Sequence, residues 1–378
     1  MKISKPILAS ASLIGTIIGA GVFAIPYVVS RSGVLISLFY LILLGTVVLF
    51  LHLFYGEVVL RTNGPHQLTG YAKKYFGRGA KFFILIATIF GTVGTLLVYV
   101  ILAGEFIKTI FPSFLTAQQG AVLFWTFLSL FVFWGTKSIA KLELVMSLAM
   151  FAIFGLIVAF CWPKIDISHY KLFDSHYLFL PFGVFLFSLV GWSTVPGLLE
   201  ILEKKGHLKR VVIIASLVCV FVYLLFGFLT VGVAGSSMTD KVFESLAPFL
   251  GGHVILLGGL LGLLTVATSF VVSANYLKYI FHYDCRFPAP IAFLLSVLVP
   301  LGLFLVGFNR FIPVVSIVGT FVGLAEGVAI SLLYQKAKQA GDRIPEYSLK
   351  HPRFLIYFVI IILAGGSVAG IINNFVRF

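Results

Sequence analysis

Eleven apolar runs, each long enough to cross about 30 Å of hydrocarbon at roughly 20 residues per crossing, occupy most of this 378-residue sequence. They read at about 6–30, 33–60, 81–111, 118–135, 139–162, 177–201, 211–234, 253–277, 289–308, 311–334 and 354–376. With 60% hydrophobic residues, 11% charged residues and a mean hydropathy of +1.10, the chain carries more apolar surface than a soluble core can bury. The expected fold class is therefore all-α and integral to a membrane. No connection between runs is long enough to hold a soluble domain, so residues 1–378 read as a single membrane domain.

A formal charge of +14 would suggest nucleic acid as a partner in a soluble protein. Here position decides. With the N-terminus placed in the cytoplasm, the 27 Lys and Arg residues divide twenty inside to seven outside, a strong positive-inside bias. The basic balance is thus an orientation device, and no nucleic acid is expected. An odd number of crossings then puts the C-terminus outside a cytoplasmic (inner) membrane. Lys2 and Lys5 before an apolar stretch could open a signal peptide, but the run is too long for an h-region and no A-x-A site follows. Cys161, Cys219 and Cys285 are scattered and give neither metal spacing nor a disulfide framework.

Two connections have content. In 61–80, Leu68, Tyr71, Ala72 and Tyr75 share one helical side apart from Lys73 and Lys74, which suits a short surface helix or a solvated turn. On the other side, 235–252 is long for a connection and has room for a short lid helix.

The informative pattern is a repeat. GTIIGAGVFAIP in the first run places Pro26 five residues after Gly21, and FLFSLVGWSTVP in the sixth places Pro196 five residues after Gly191. Helix six then crosses opposite to helix one. Two five-helix halves of opposite topology, each opening with an interrupted helix, are the signature of inverted-repeat secondary transporters. The halves span 6–162 and 177–334, with 354–376 as an additional helix. Non-helical backbone at membrane depth is tolerated only where protein surrounds it or water reaches it, which points to a midplane cavity. At each break one half-helix ends in free carbonyls and the next begins with free amides. Amides suit a carboxylate and carbonyls suit an ammonium group or cation, and an α-amino acid carries both charges. Gly15 and Gly19 also form a G-x-x-x-G spacing, which suits close helix packing instead.

At these residues the chain resembles the hydroxy and aromatic amino acid permeases, the tryptophan and tyrosine carriers of the amino acid/polyamine/organocation superfamily. GTIIGAGVFAIP looks like that family's first-helix signature, GYAKKYFGRGAKF its first cytoplasmic loop, FSLVGWSTVPGLLE its sixth helix, and ATSFVVSANYLKYIFHYD its eighth. The resemblance implies the leucine-transporter fold and symport by alternating access. Carried over, the substrate's backbone meets Gly19, Ala20 and Gly21 on helix one and Phe187, Ser188 and Gly191 on helix six, with Trp192 beside them and Tyr99 closing over, or simply packed between helices. Trp192 stands where aromatic carriers have a polar residue, and Val190 where they often have glycine, so the substrate is an aromatic or another neutral amino acid.

Ionisable residues inside spans are functional candidates. Glu57, Glu105, Glu143 and Glu200 lie close enough to span ends to reach an interface or a surface partner, whereas Glu326 in FVGLAEGVAIS lies deeper and is the candidate proton-linked carboxylate. Proton-coupled relatives carry a lysine midway along helix five, where this chain has Met150. Sodium-coupled members of the fold hold the ion between helix-one carbonyls, here of Gly15 and Ile18, and helix-eight hydroxyls, here of Thr268 and Ser269, an oxygen set that suits a hard cation. Those hydroxyls also have their own helix carbonyls to bond. The expected partners are an amino acid, a coupling cation (Na+ or H+) and the lipid bilayer, and no cofactor is expected, with room only for a bound Na+. No H-E-x-x-H or nucleophile-elbow pattern argues for an enzyme, and a metal carrier would want an acidic residue between Gly19 and Pro26, where there is none. A substrate-sensing receptor on the same fold is the remaining rival.

Overall fold

The computed structural model describes residues 4–64, 66–134, 139–350 and 352–377, with side chains for all of these except 134, 139–147, 352 and 371–377. Fourteen α-helices are found among the described residues: α1 (Lys5–Ile17), α2 (Ile25–Ser32), α3 (Val34–Arg61), α4 (Leu68–Ile110), α5 (Ala117–Trp134), α6 (Ile139–Cys161), α7 (Leu180–Leu189), α8 (Val195–Ile201), α9 (Leu208–Ala234), α10 (Val242–Leu250), α11 (His253–Tyr279), α12 (Ala289–Leu305), α13 (Phe311–Ala340) and α14 (Pro352–Arg377). Among the described residues, seven stretches are long and apolar enough to cross a membrane, the broken stretch Leu180–Ile201 among them; an eighth is the pair Lys5–Ile17 and Ala20–Ser32, bent by 48°. Three shorter apolar helices, Ala117–Phe133, Leu148–Lys164 and Ala289–Leu305, account for the remaining runs read in the sequence.

Both breaks fall where the Gly and Pro spacing puts them. Gly19 takes φ −112°, ψ −147°, and Gly191 φ −155°, ψ 6°, neither of them helical. Pro26 and Pro196 each sit in the first two positions of the half-helix that follows, where a missing N–H costs nothing. The broken pairs form the centre of the bundle. α9 packs against α1, α2 and α3, while α13 packs against α3, α4 and α7, and α11 against α4 and α6. α14 lies outside this set, against α13, α7 and α3.

The amphipathic stretch before the third span is helical from Leu68, buries Leu68, Tyr71, Ala72 and Tyr75, and leaves Lys73 and Lys74 exposed. It runs into the span through a kink at Gly77, whose φ of 85° is open to glycine at no steric cost. The segment 235–252 contains α10.

Four carboxylates expected near span ends divide. Glu200 is exposed, Glu105 pairs with Lys241 at 2.7 Å, and the side chains of Glu143 and its neighbour Lys141 lie outside the described residues. Glu57 does not reach an interface. It is fully buried, bound at Oε1 by Arg61 Nε at 2.9 Å and Nη2 at 2.8 Å, and it accepts from Ser348 Oγ at 3.0 Å and the Leu349 amide at 2.9 Å. These hydrogen bonds offset the cost of taking the carboxylate out of water. The segment 341–350 is thereby fastened over the N-terminal face, with a Lys74–Asp342 ion pair at its other end.

Candidate functional site

The two breaks touch. A methyl group on Gly21 would lie 2.3 Å from Ser188 Oγ and 2.7 Å from Ser188 Cα, so only glycine permits this approach. Thr194 Oγ1 donates to Thr16 Oγ1 across the same contact at 2.9 Å. From α9, the fully buried Tyr223 hydroxyl lies 2.6 Å from both the Ile17 and the Ser188 carbonyl oxygens. A phenol has one proton, so the carbonyl ends of the two broken helices share a single donor.

Against this junction lies a central cavity of about 140 Å³. Gly19, Ala20, Gly21, Tyr99, Phe187, Ser188, Trp192 and Glu326 all line it. Gly191 does not: a methyl there would meet Ile17 Cγ1 at 2.5 Å, so this glycine serves helix packing against α1 rather than the cavity. Ser188 Oγ donates to the Val184 carbonyl of its own helix at 2.7 Å. The wall is completed by Tyr55 of α3, by Thr88, Thr92 and Thr95 of α4, and by Ser273 and Tyr276 of α11. Thr88, Thr92, Thr95 and Tyr99 recur at helical spacing, so the sequence does mark them as one stripe of α4. Nothing comparable marks Tyr223, which is one of four aromatic residues in an apolar helix, with Phe221, Phe226 and Phe228.

Glu326 stands at the cavity wall, accepting from Trp192 Nε1 at 2.6 Å and from Thr88 Oγ1 at 2.8 Å. Among the described residues, no Lys or Arg lines the cavity with it.

A second space of about 50 Å³ adjoins the first and is lined by Gly15, Ile18, Met150, Thr265, Thr268 and Ser269. Thr16, Tyr99 and Ser273 line both spaces and so form the wall between them. Thr268 Oγ1 lies 3.2 Å from the Leu264 and Thr265 carbonyls. A hydroxyl that donates back to its helix still has lone pairs free. Back-bonding and cation coordination are therefore compatible.

On the face away from the N-terminus, a vestibule of about 650 Å³ extends from Arg31 and Lys241 down to Phe23, Phe106 and Phe243. Phe23 stacks edge-on against the other two, with ring centroids 5.0 and 5.9 Å away. A space of about 490 Å³ on the opposite face lies between Tyr71, Pro196, Glu200 and Arg343.

The sequence model of the tryptophan/tyrosine permease family matches residues 3–370. The chain belongs to that family. Proteins similar to it include one named glutamine transporter 2 of Aliivibrio fischeri, 25% identical over 234 residues, and one named tyrosine-specific transport system 1 of Haemophilus influenzae, 22% identical over 234 residues. The matches cover 58% and 61% of this chain, and the chain spans 59% and 58% of the length of those two relatives. Among solved structures, MhsT in complex with L-phenylalanine superposes with a TM-score of 0.70 over 97% of this chain and 98% of that one, at 15% identity. That likeness gives this permease-family chain the leucine-transporter fold, with α1–α2 and α7–α8 as its interrupted helices.

Proposed function

We propose that the chain is a secondary active transporter that carries an amino acid by cation-coupled symport, with sodium as the coupling ion. The observation that carries the reading is the pair of adjoining spaces sharing Thr16, Tyr99 and Ser273. In the larger, half-helix ends around Gly19, Ala20, Gly21, Phe187 and Ser188 receive the carboxylate and ammonium of a zwitterion. In the smaller, carbonyl oxygens of Gly15 and Ile18 and hydroxyls of Thr268 and Ser269 receive the ion. Met150 supplies no ammonium there, which leaves the position to a free cation. Family membership and relatives named for glutamine and tyrosine transport support an amino acid cargo.

In this reading the chain is one transporter domain. Residues 6–162 and 177–334 are its inverted repeats, 354–376 is an added helix, and it works without catalysis. It sits in the cytoplasmic membrane with the N-terminus inside and residue 378 outside, and a reporter after Phe378 that labels only from the cytoplasm would refute that orientation.

The deciding test is uptake into proteoliposomes with sodium and proton gradients imposed separately. Sodium-driven uptake is expected, with Thr268→Ala and Ser269→Ala raising the sodium needed for half-maximal rate more than the substrate needed at saturating sodium. Glu326 favours a second reading, because it faces the cargo space without a cationic partner among the residues lining it. Uptake that follows a proton gradient in sodium-free buffer, and is lost in Glu326→Gln, would transfer the coupling role to that carboxylate.

A further inference from the structure

We infer that the wall of the central cavity formed by Glu326, Tyr55 and Trp192 is a polar side-chain subsite, which selects amino acids whose side chain ends in an N–H or O–H donor. The inference rests on the amino acid reading above.

Two independent features point to a polar side chain, the carboxylate to a donor and the phenol to any group able to pair a hydroxyl. The first is Glu326 itself. A carboxylate has room for about four hydrogen bonds, and two are taken: one by the Trp192 indole at Oε2 and one by the Thr88 hydroxyl at Oε1. Both partners are neutral, and among the described residues no Lys or Arg lines the cavity, so lone pairs of an acidic group remain within a space fit for cargo. The second is Tyr55. It lines the same cavity, is 1% exposed, and its buried hydroxyl has no hydrogen-bond partner among the described residues. A buried hydroxyl left unpaired is costly, and the cavity offers the place from which a ligand can pair it.

The arrangement also separates the two halves of the cargo. Broken-helix ends at Gly19–Gly21 and Ser188 face groups common to every α-amino acid. Glu326, held by Trp192 and Thr88, faces what differs between them. A site built around buried hydrogen-bonding groups rejects an analogue that cannot pair them far more strongly than an apolar pocket rejects an added methylene. An apolar side chain would leave the remaining lone pairs of Glu326 and the Tyr55 hydroxyl unpaired. Neutral donors, as in an amide or a phenol, and cationic ones, as in an ammonium group, share this chemistry.

The test is equilibrium binding to the purified full-length protein in saturating sodium, using near-isosteric pairs: tyrosine with phenylalanine, glutamine with methionine, and lysine with norleucine. In at least one pair the donor-bearing member should bind about 100-fold more tightly than its partner. The pair that shows this preference tells a neutral donor from a cationic one. Glu326→Met should reduce the preference to within a few-fold. Tyr55→Phe, which removes only the unpaired hydroxyl, should reduce it about tenfold. Apolar members binding as tightly as their donor partners would overturn the inference while leaving amino acid transport intact. So would a preference unchanged in Glu326→Met, including the case in which that variant loses only proton-driven uptake. If no member of the panel binds, the amino acid reading itself fails and the subsite falls with it.

Discussion

Gly21→Ala adds one carbon atom at the point where the two broken helices meet. In the native packing that carbon would stand 2.3 Å from Ser188 Oγ and 2.7 Å from both Cα and Cβ of Ser188, against an ordinary contact of 3.4–4 Å. The hydroxyl can rotate, but the Cα cannot, so the breaks must part by on the order of 1 Å. Overpacking of this kind costs about 1–3 kcal/mol. If the touching arrangement is the one that binds cargo, affinity falls by about five- to 150-fold. The assay is binding of the tightest amino acid in the panel to detergent-purified variant, with a monodisperse elution profile as the check on folding. Ser188→Ala in the Gly21→Ala background removes the 2.3 Å contact but keeps Cα and Cβ at 2.7 Å, so little recovery is expected; Ser188→Gly removes Cβ as well and should recover in part. Binding by Gly21→Ala within twofold of wild type would refute the reasoning. So would full recovery in the Ser188→Ala double variant, because the backbone contact would then not be limiting.

Other expectations follow from single contacts. Tyr223→Phe removes the proton shared by the Ile17 and Ser188 carbonyls and should destabilise their junction by about 1–3 kcal/mol, read as faster amide exchange in 15–21 and 186–194; unchanged exchange would dismiss the role. Met150→Lys places an ammonium at the wall of the smaller space and should give binding that no longer responds to sodium, measured by titrating sodium against substrate affinity. Asp342 is held below its ordinary value of 3.8, first by the Lys74 ammonium and then by the Asn63 amide. A depressed carboxyl stabilises the docked segment above pH 3.8 and loses that contribution only as pH falls through its lowered value. The protection factor of the Asn63 amide, its exchange corrected for the intrinsic pH dependence, should therefore stay constant from pH 7 to about pH 4 and fall below that, whereas in Asp342→Asn it should be lowered throughout.

The positions of the breaks were legible because Gly and Pro constrain the backbone locally, whatever surrounds them. Which direction each glycine faces was not: Gly191 shares its spacing with Gly21, yet it abuts Ile17 instead of lining the cavity. Side chains from distant helices were also beyond reach. Glu57 reads as a carboxylate near a span end, and only the folded chain brings Ser348 and Leu349 onto it from nearly 300 residues away. Thr88, Thr92 and Thr95 were readable as a stripe but not as a cavity wall, since two of them bond their own helix and would do so on any face.

Tyr99 separates the two spaces with its ring and hydroxyl, Oη lying 3.5 Å from where a methyl on Gly19 would be. If the smaller space holds an ion and the larger the cargo, a partition as thin as Thr16, Tyr99 and Ser273 makes them near neighbours, so each can feel the other's arrival without any relay through the bundle. It also sets a weakness. A rotamer change at this tyrosine opens one space into the other, and an ion free to drift into the empty cargo space has a route across that takes nothing with it. The tightness of coupling in such a carrier is then limited less by the strength of either site than by how long one aromatic ring stays in place.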